Sequence, residues 1–99
     1  MKRNKAIRIV NEFFEDMNPT YWDGIGKKPE LFKEDIWEYP LTKNVHLEIT
    51  FVYDDIDGWH HYCDIVDNNS NDSIEMLSGY GIDSALNLVD TVMALCMEY

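Results

Sequence analysis

Residues Asn4 to Met17 carry Ala6, Ile7, Val10, Phe13, Phe14 and Met17 at spacings of three and four, which puts one apolar stripe on a helix that must pack against something. Asn18-Pro19 ends it, because the residue before a proline is pushed out of the helical region. Lys2, Arg3, Lys5 and Arg8 stand near its start and Glu12, Glu15 and Asp16 near its end. That order opposes the helix dipole, so packing rather than electrostatics must hold the helix. Residues 18–43 mix the breakers Gly24, Gly26 and Pro29 with Tyr21, Trp22, Phe32, Trp37 and Tyr39, and read as an ordered loop. Within it Pro29 suits the first position of a short helix through about Asp35. Trp37 to Leu41 suits an edge strand, the place in a sheet that tolerates Pro40.

Asn44 to Tyr53 alternates, with Val45, Leu47, Ile49, Phe51 and Tyr53 on one face and His46, Glu48, Thr50 and Val52 on the other. Such alternation is the mark of a half-buried strand. Trp59 to Asp67 reads as its hairpin partner, and matching the apolar faces pairs Tyr53 with His61, Phe51 with Cys63 and Ile49 with Ile65. Asp55-Ile56-Asp57-Gly58 supplies the odd-numbered connection this pairing needs, as a type I turn closed by a glycine bulge. Asp67 to Ser73 is a polar loop, Ile74 to Leu77 a third short strand, and Ser78-Gly79-Tyr80-Gly81 a turn. Asp83 or Ser84 caps a last helix whose apolar face holds Leu86, Val89, Val92, Met93, Cys96 and Met97, widened by Leu88 and Leu95. The expected fold is α+β: a three-stranded antiparallel meander with an N-terminal and a C-terminal helix on the face bearing Leu47, Ile49, Phe51 and Ile65, the other face left free.

Composition sharpens this picture. A chain of 99 residues is expected to form one domain, 1–99, since two cores of half the size would each bury too little. With 45% hydrophobic and 13% aromatic residues it is expected to fold despite a net charge of -11. No apolar run reaches the roughly 18 residues a membrane span needs, and the Met1 to Arg8 start is not followed by the apolar stretch of a signal peptide. A cytoplasmic protein is expected. Cys63 and Cys96, far apart and without CxxC spacing, fit reduced buried thiols.

The charge is unevenly placed. Lys43 is the last Lys or Arg, while Glu48, Asp54, Asp55, Asp57, Asp64, Asp67, Asp72, Glu75, Asp83, Asp90 and Glu98 follow it. Acids without local partners repel one another, and a fold that keeps them gains solubility or a field that steers a cationic partner. Direct nucleic-acid binding is disfavoured, because phosphate contacts need a basic surface.

Candidate chemistry is thin. Asp55, Asp57 and Gly58 fail as a calcium loop, since the glycine register puts Tyr53 at the first ligand position. His60, His61 and Cys63 lack the second element a zinc site requires, and neighbours on one sheet make a poor thiolate, base and oxyanion set. No phosphate-cradling glycine loop, HExxH or GxSxG occurs. No catalytic residue, metal or cofactor is expected, and the chain is read as a binding protein and not an enzyme. The free sheet face carries His46, Glu48, Thr50, Val52, Asp54, His60, Tyr62, Asp64 and Val66, flanked by Asp55 and Asp57 in the turn and by Asp67 and Asp72 at the loop. Carboxylates there can pair bidentately with arginines, and Trp59 and Tyr62 supply aromatic anchors. The expected partner-binding set is Glu48, Asp54, Asp55, Asp57, Trp59, Tyr62, Asp64, Asp67 and Asp72.

The helix-strand-strand-strand-helix order, the small acidic chain and the Gly79-Tyr80-Gly81-Ile82-Asp83-Ser84-Ala85-Leu86 entry to the last helix resemble small phage-encoded proteins, including anti-CRISPR inhibitors. The resemblance implies a protein that blocks a nuclease or CRISPR-Cas effector by occupying its basic nucleic-acid channel, in the cytoplasm of a host cell. Immunity proteins against toxin nucleases are similar in size and charge. A homo-oligomeric structural or adaptor protein, joined through the aromatic-rich segment 21–39, is the alternative from a different class.

Overall fold

The computed structural model describes residues 1–16, 36–54, 58–80 and 85–99, with backbone alone for 51–54, 58–59, 80 and 85–86. The reading of 18–35, the turn type at 55–57 and the cap at 83–84 lie outside the described residues.

The first helix, α1, spans Arg3–Asp16, and Ala6, Ile9, Val10 and Phe13 are buried along it. Ile7 and Phe14 flank this stripe and are partly buried. The stripe is thus centred one position away from the sequence reading, with Ile9 at its middle. No acid stands in its first turn and no base in its last, so its stability comes from that buried face.

Four strands form one antiparallel sheet in the order β1-β2-β3-β4: β1 Ile36–Pro40, β2 Val45–Asp54, β3 Gly58–Asp67 and β4 Ser73–Tyr80. The expected three-stranded meander therefore gains a fourth strand. The segment read as an edge strand does pair, antiparallel to β2, with Pro40 opposite His46 at the sheet margin. There the missing N–H costs no interior ladder bond. The turn from β1 to β2 is held by Thr42, whose Oγ1 accepts the N–H groups of Asn44 at 3.1 Å and Val45 at 3.2 Å.

The β2–β3 register differs by two residues from the expected one: Phe51 pairs with His61, Ile49 with Cys63 and Leu47 with Ile65. A slip of two leaves every side chain on its original face, so alternation cannot detect it; connection length decides instead. β4 is also longer than expected and absorbs Ser78-Gly79-Tyr80, which read as a turn.

The second helix, α2, spans Ala85–Leu95 and buries Leu88, Val89, Val92 and Leu95, with Cys96 buried just beyond its end. Met97, expected on the apolar face, is 75% exposed. One core joins these residues to the buried face of α1 and to Val45, Leu47, Ile49, Cys63 and Ile65, so both helices lie on the expected side of the sheet. Trp37 extends the core beneath α1: its ring meets Phe13 edge-on at 5.6 Å, and its Nε1 donates to Asp16 Oδ2 at 2.6 Å. The Met1 amine donates to the Cys96 and Met97 carbonyls at 3.2 and 3.0 Å, and Arg3 pairs with Asp90 at 3.1 Å, which ties the two helices together.

Gly79 faces His61 across β3 and β4. A Cβ there would lie 2.6 Å from His61 Nε2, 2.8 Å from Cε1 and 3.2 Å from Thr91 Oγ1. His61 is fully buried and its Nε2 is bonded to Thr91 Oγ1 at 2.8 Å, so a shift of the ring disturbs that bond. Gly79→Ala is therefore expected to destabilise the fold by about 1–3 kcal/mol, read as a lower denaturant midpoint. Combined with His61→Ala it should cost much less than the sum of the two single changes. Strict additivity would contradict this contact.

Candidate functional site: an acidic row on the outer sheet face

The sheet face opposite the helices is built by register. Glu38 pairs with Glu48, Glu48 with Asp64, and Asp64 with Met76. Three carboxylates thus stand abreast on β1, β2 and β3, with neighbouring strands about 4.8 Å apart. Like charges directly opposite one another on a sheet repel, so this row is kept against a local cost. On one side of it run Ile36, Thr50, Tyr62 and Ser78, and on the other Pro40, His46, Val66 and Ser73.

His46 offsets part of the repulsion. Its Nε2 lies 2.9 Å from Glu48 Oε2 and 3.9 Å from Glu38 Oε1. Its Nδ1 lies 2.6 Å from Asn68 Oδ1, and Asn68 Nδ2 donates to the Lys43 carbonyl at 3.1 Å. The amide is thereby oriented with its oxygen toward the ring, so both ring nitrogens face acceptors. The His46 pKa is raised above 6.5, first by the Asn68 bond, then by the Glu48 bond and the charges of Glu38 and Glu48, against the opposing effect of burial. Asn68 N–H also donates to the Asn44 carbonyl at 2.8 Å, so one residue of the β3–β4 loop braces the β1–β2 turn and the ring between them.

The rim is partly apolar. Ile36 is 56% and Met76 58% exposed, and half-exposed Tyr62 presents its ring edge-on to His60 at 5.3 Å. The face is not open throughout, however: His60 and Val66, expected on its solvent side, are buried.

Of the residues expected to bind a partner, Glu48, Tyr62 and Asp64 share this face. Asp64 Oδ1 accepts the Ser73 hydroxyl at 2.6 Å. The Asp67 carboxylate is turned into the loop, where Oδ1 accepts the N–H groups of Asn69 at 2.7 Å and Ser70 at 3.3 Å. Asp72 is exposed in the same loop, where its carbonyl accepts the Asp67 N–H at 3.0 Å. Asp54 ends β2 opposite Gly58, and Trp59 occupies a position of opposite parity to Tyr62, paired with Tyr53. Asp55 and Asp57 lie outside the described residues. Glu38 was missed. Its signal was the polar position between Trp37 and Tyr39, but a strand five residues long inside an irregular segment carries too few positions for a clear alternation.

The inner face offers less chemistry. His61 Nε2 donates to Thr91 Oγ1 at 2.8 Å, and that hydroxyl donates onward to the Asn87 carbonyl at 3.0 Å. Burial, helped by the nearby His60 ring, lowers the His61 pKa to about 4. Cys63 beside it is buried, and burial holds its thiol well above the ordinary range; burial likewise pushes Cys96 up to about 11. Neither sulfur is a thiolate near neutral pH.

No described helix is long and apolar enough to cross a membrane. Comparison of the chain with protein-family models, with curated proteins and with solved structures finds no match.

Proposed function

We propose that this protein is an acidic inhibitor that occupies the basic nucleic-acid-binding surface of a nuclease or CRISPR-Cas effector. The observation that carries the reading is the row Glu38, Glu48 and Asp64 abreast on the outer sheet face. Arginines that grip phosphate oxygens pair equally well with carboxylates, and bidentate pairs are among the strongest charge-assisted hydrogen bonds. Carboxylates on adjacent strands are held at fixed intervals by the ladder, so a cationic groove meets a preorganised array and little ordering is needed on binding. Ile36, Tyr62 and Met76 at its margin give the water-excluding contacts that interfaces require. The net charge of -11 steers the encounter and makes its rate fall with salt. An immunity protein against a toxin nuclease would use the same physics.

The test is capture on the immobilised protein at low salt, followed by competition with DNA or RNA. A nucleic-acid-processing enzyme retained by the protein, released by competing nucleic acid and losing its activity in the complex, is the expected result. An assortment of basic proteins indifferent to nucleic acid would overturn it.

One observation favours a second reading, self-association. β4 is an edge strand, and Ile74, Met76 and Leu77 along it are exposed. Such an edge is a template for pairing with another chain, against the repulsion of two chains each of charge -11. Sedimentation at high salt, where that repulsion is screened, distinguishes a dimer from a monomer.

A further inference from the structure

One cluster on the outer face has a chemistry distinct from that of docking a cationic protein. His46 Nε2 and a carboxylate oxygen from each of Glu38 and Glu48 all lie within 4.8 Å of one another. Ligands about 2.1 Å from a tetrahedral zinc ion sit about 3.4 Å apart. The separations of 2.9 Å to Glu48 and 3.9 Å to Glu38 bracket that value. Glu38 is 65% exposed and can rotate inward, while Glu48 and His46, at 23% and 13%, are held by the sheet.

The far side of the ring is arranged as in ligating histidines. A metal-bound imidazole ordinarily donates its other N–H to a carbonyl or carboxylate, which fixes ring orientation and tautomer. Here Nδ1 faces Asn68 Oδ1 at 2.6 Å, and Asn68 is itself anchored on the Lys43 carbonyl. Zinc would take the place of the hydrogen that Nε2 shares with Glu48, releasing that proton, while Nδ1 keeps its hydrogen toward Asn68. One imidazole and two carboxylates form a borderline nitrogen and oxygen set that suits zinc. Magnesium and calcium prefer an all-oxygen shell with more ligands. A dication here would also neutralise carboxylates that the register forces together.

We propose that Glu38, His46 and Glu48 bind one zinc ion, with Asn68 orienting the histidine and water completing the coordination. The proposal shares Glu38 and Glu48 with the inhibitor reading, but its test needs no partner, so the two fail separately.

The test is calorimetric and NMR titration of the full chain with zinc chloride, with magnesium chloride as control, for the wild type and for His46→Gln, Glu48→Gln and Asn68→Ala. One equivalent is expected to bind with micromolar affinity and to shift the His46 ring resonances, while millimolar magnesium neither binds there nor competes. His46→Gln should weaken binding more than tenfold and Asn68→Ala by about tenfold, with circular dichroism confirming that each variant is folded. Absence of saturable binding to the wild type, or equal binding by folded His46→Gln, would overturn the assignment. So would zinc shifts confined to residues other than the His46 ring, an outcome that needs no variant.

Discussion

Phe13→Ala is expected to cost about 3–5 kcal/mol, a large share of the roughly 5–15 kcal/mol that holds a domain of this size together. Phe13 is fully buried at the end of the α1 stripe, edge-on to Phe14 at 5.2 Å and to Trp37 at 5.6 Å. It connects the helix to β1, the short outermost strand. Truncation removes the ring's burial and leaves a cavity that the fixed sheet cannot close. Because α1 has no favourable charge at either end, nothing local compensates. Urea denaturation of the variant beside Phe14→Ala checks this, since Phe14 is partly buried and should cost clearly less. Equal losses for the two would mean that Phe13 is not the anchor of α1.

Acidification should remove about 3 kcal/mol of stability that depends on His61 alone. Its folded-state pKa of about 4 lies below the ordinary 6.5, because the charged ring cannot be solvated in the core. The folded state therefore binds fewer protons than the unfolded state between these values. The contribution is complete above pH 6.5 and is lost as the pH falls through the window toward 4. Carboxylates titrate nearby, so the comparison is with His61→Gln, which keeps a donor toward Thr91 but cannot protonate. Stability of the wild type should fall more steeply than that of the variant from pH 7 to pH 4, and parallel curves would show that His61 does not titrate as its burial requires.

Where the sequence foretold the fold, the physics was periodic and local. The helical stripes of α1 and α2 and the alternation of β2 and β3 placed the core on the correct faces, since one face of each element must leave water. Where it misled, two physical origins gave one signal. Gly79 carries the mark of a turn, yet it serves a close approach of β4 to the His61 ring. Ile7 and Ile9 fit the helical spacing almost equally, and the packing of α1 into the common core selects Ile9. The two-residue slip between β2 and β3 is silent in any alternation pattern. The candidate site was legible in part for the same reasons. Acidity and the outward parity of Glu48 and Asp64 follow from the sequence, but their alignment with Glu38 exists through the register of three strands. The Asn68 bond to His46 spans 22 residues and has no local signature.

The row Glu38, Glu48 and Asp64 is the centre of the functional account, and its neutral counterpart Glu38→Gln, Glu48→Gln, Asp64→Asn isolates charge from shape. Because the row is self-repelling, the triple variant is expected to unfold at the same denaturant concentration as the wild type or slightly above it. The decisive measurement is the affinity of each form for the captured enzyme across a range of salt concentrations. The account predicts wild-type binding that weakens steeply with salt, and a folded triple variant that binds at least tenfold less tightly at low salt with a shallower dependence. Equal affinity and equal salt dependence for the two forms would contradict it.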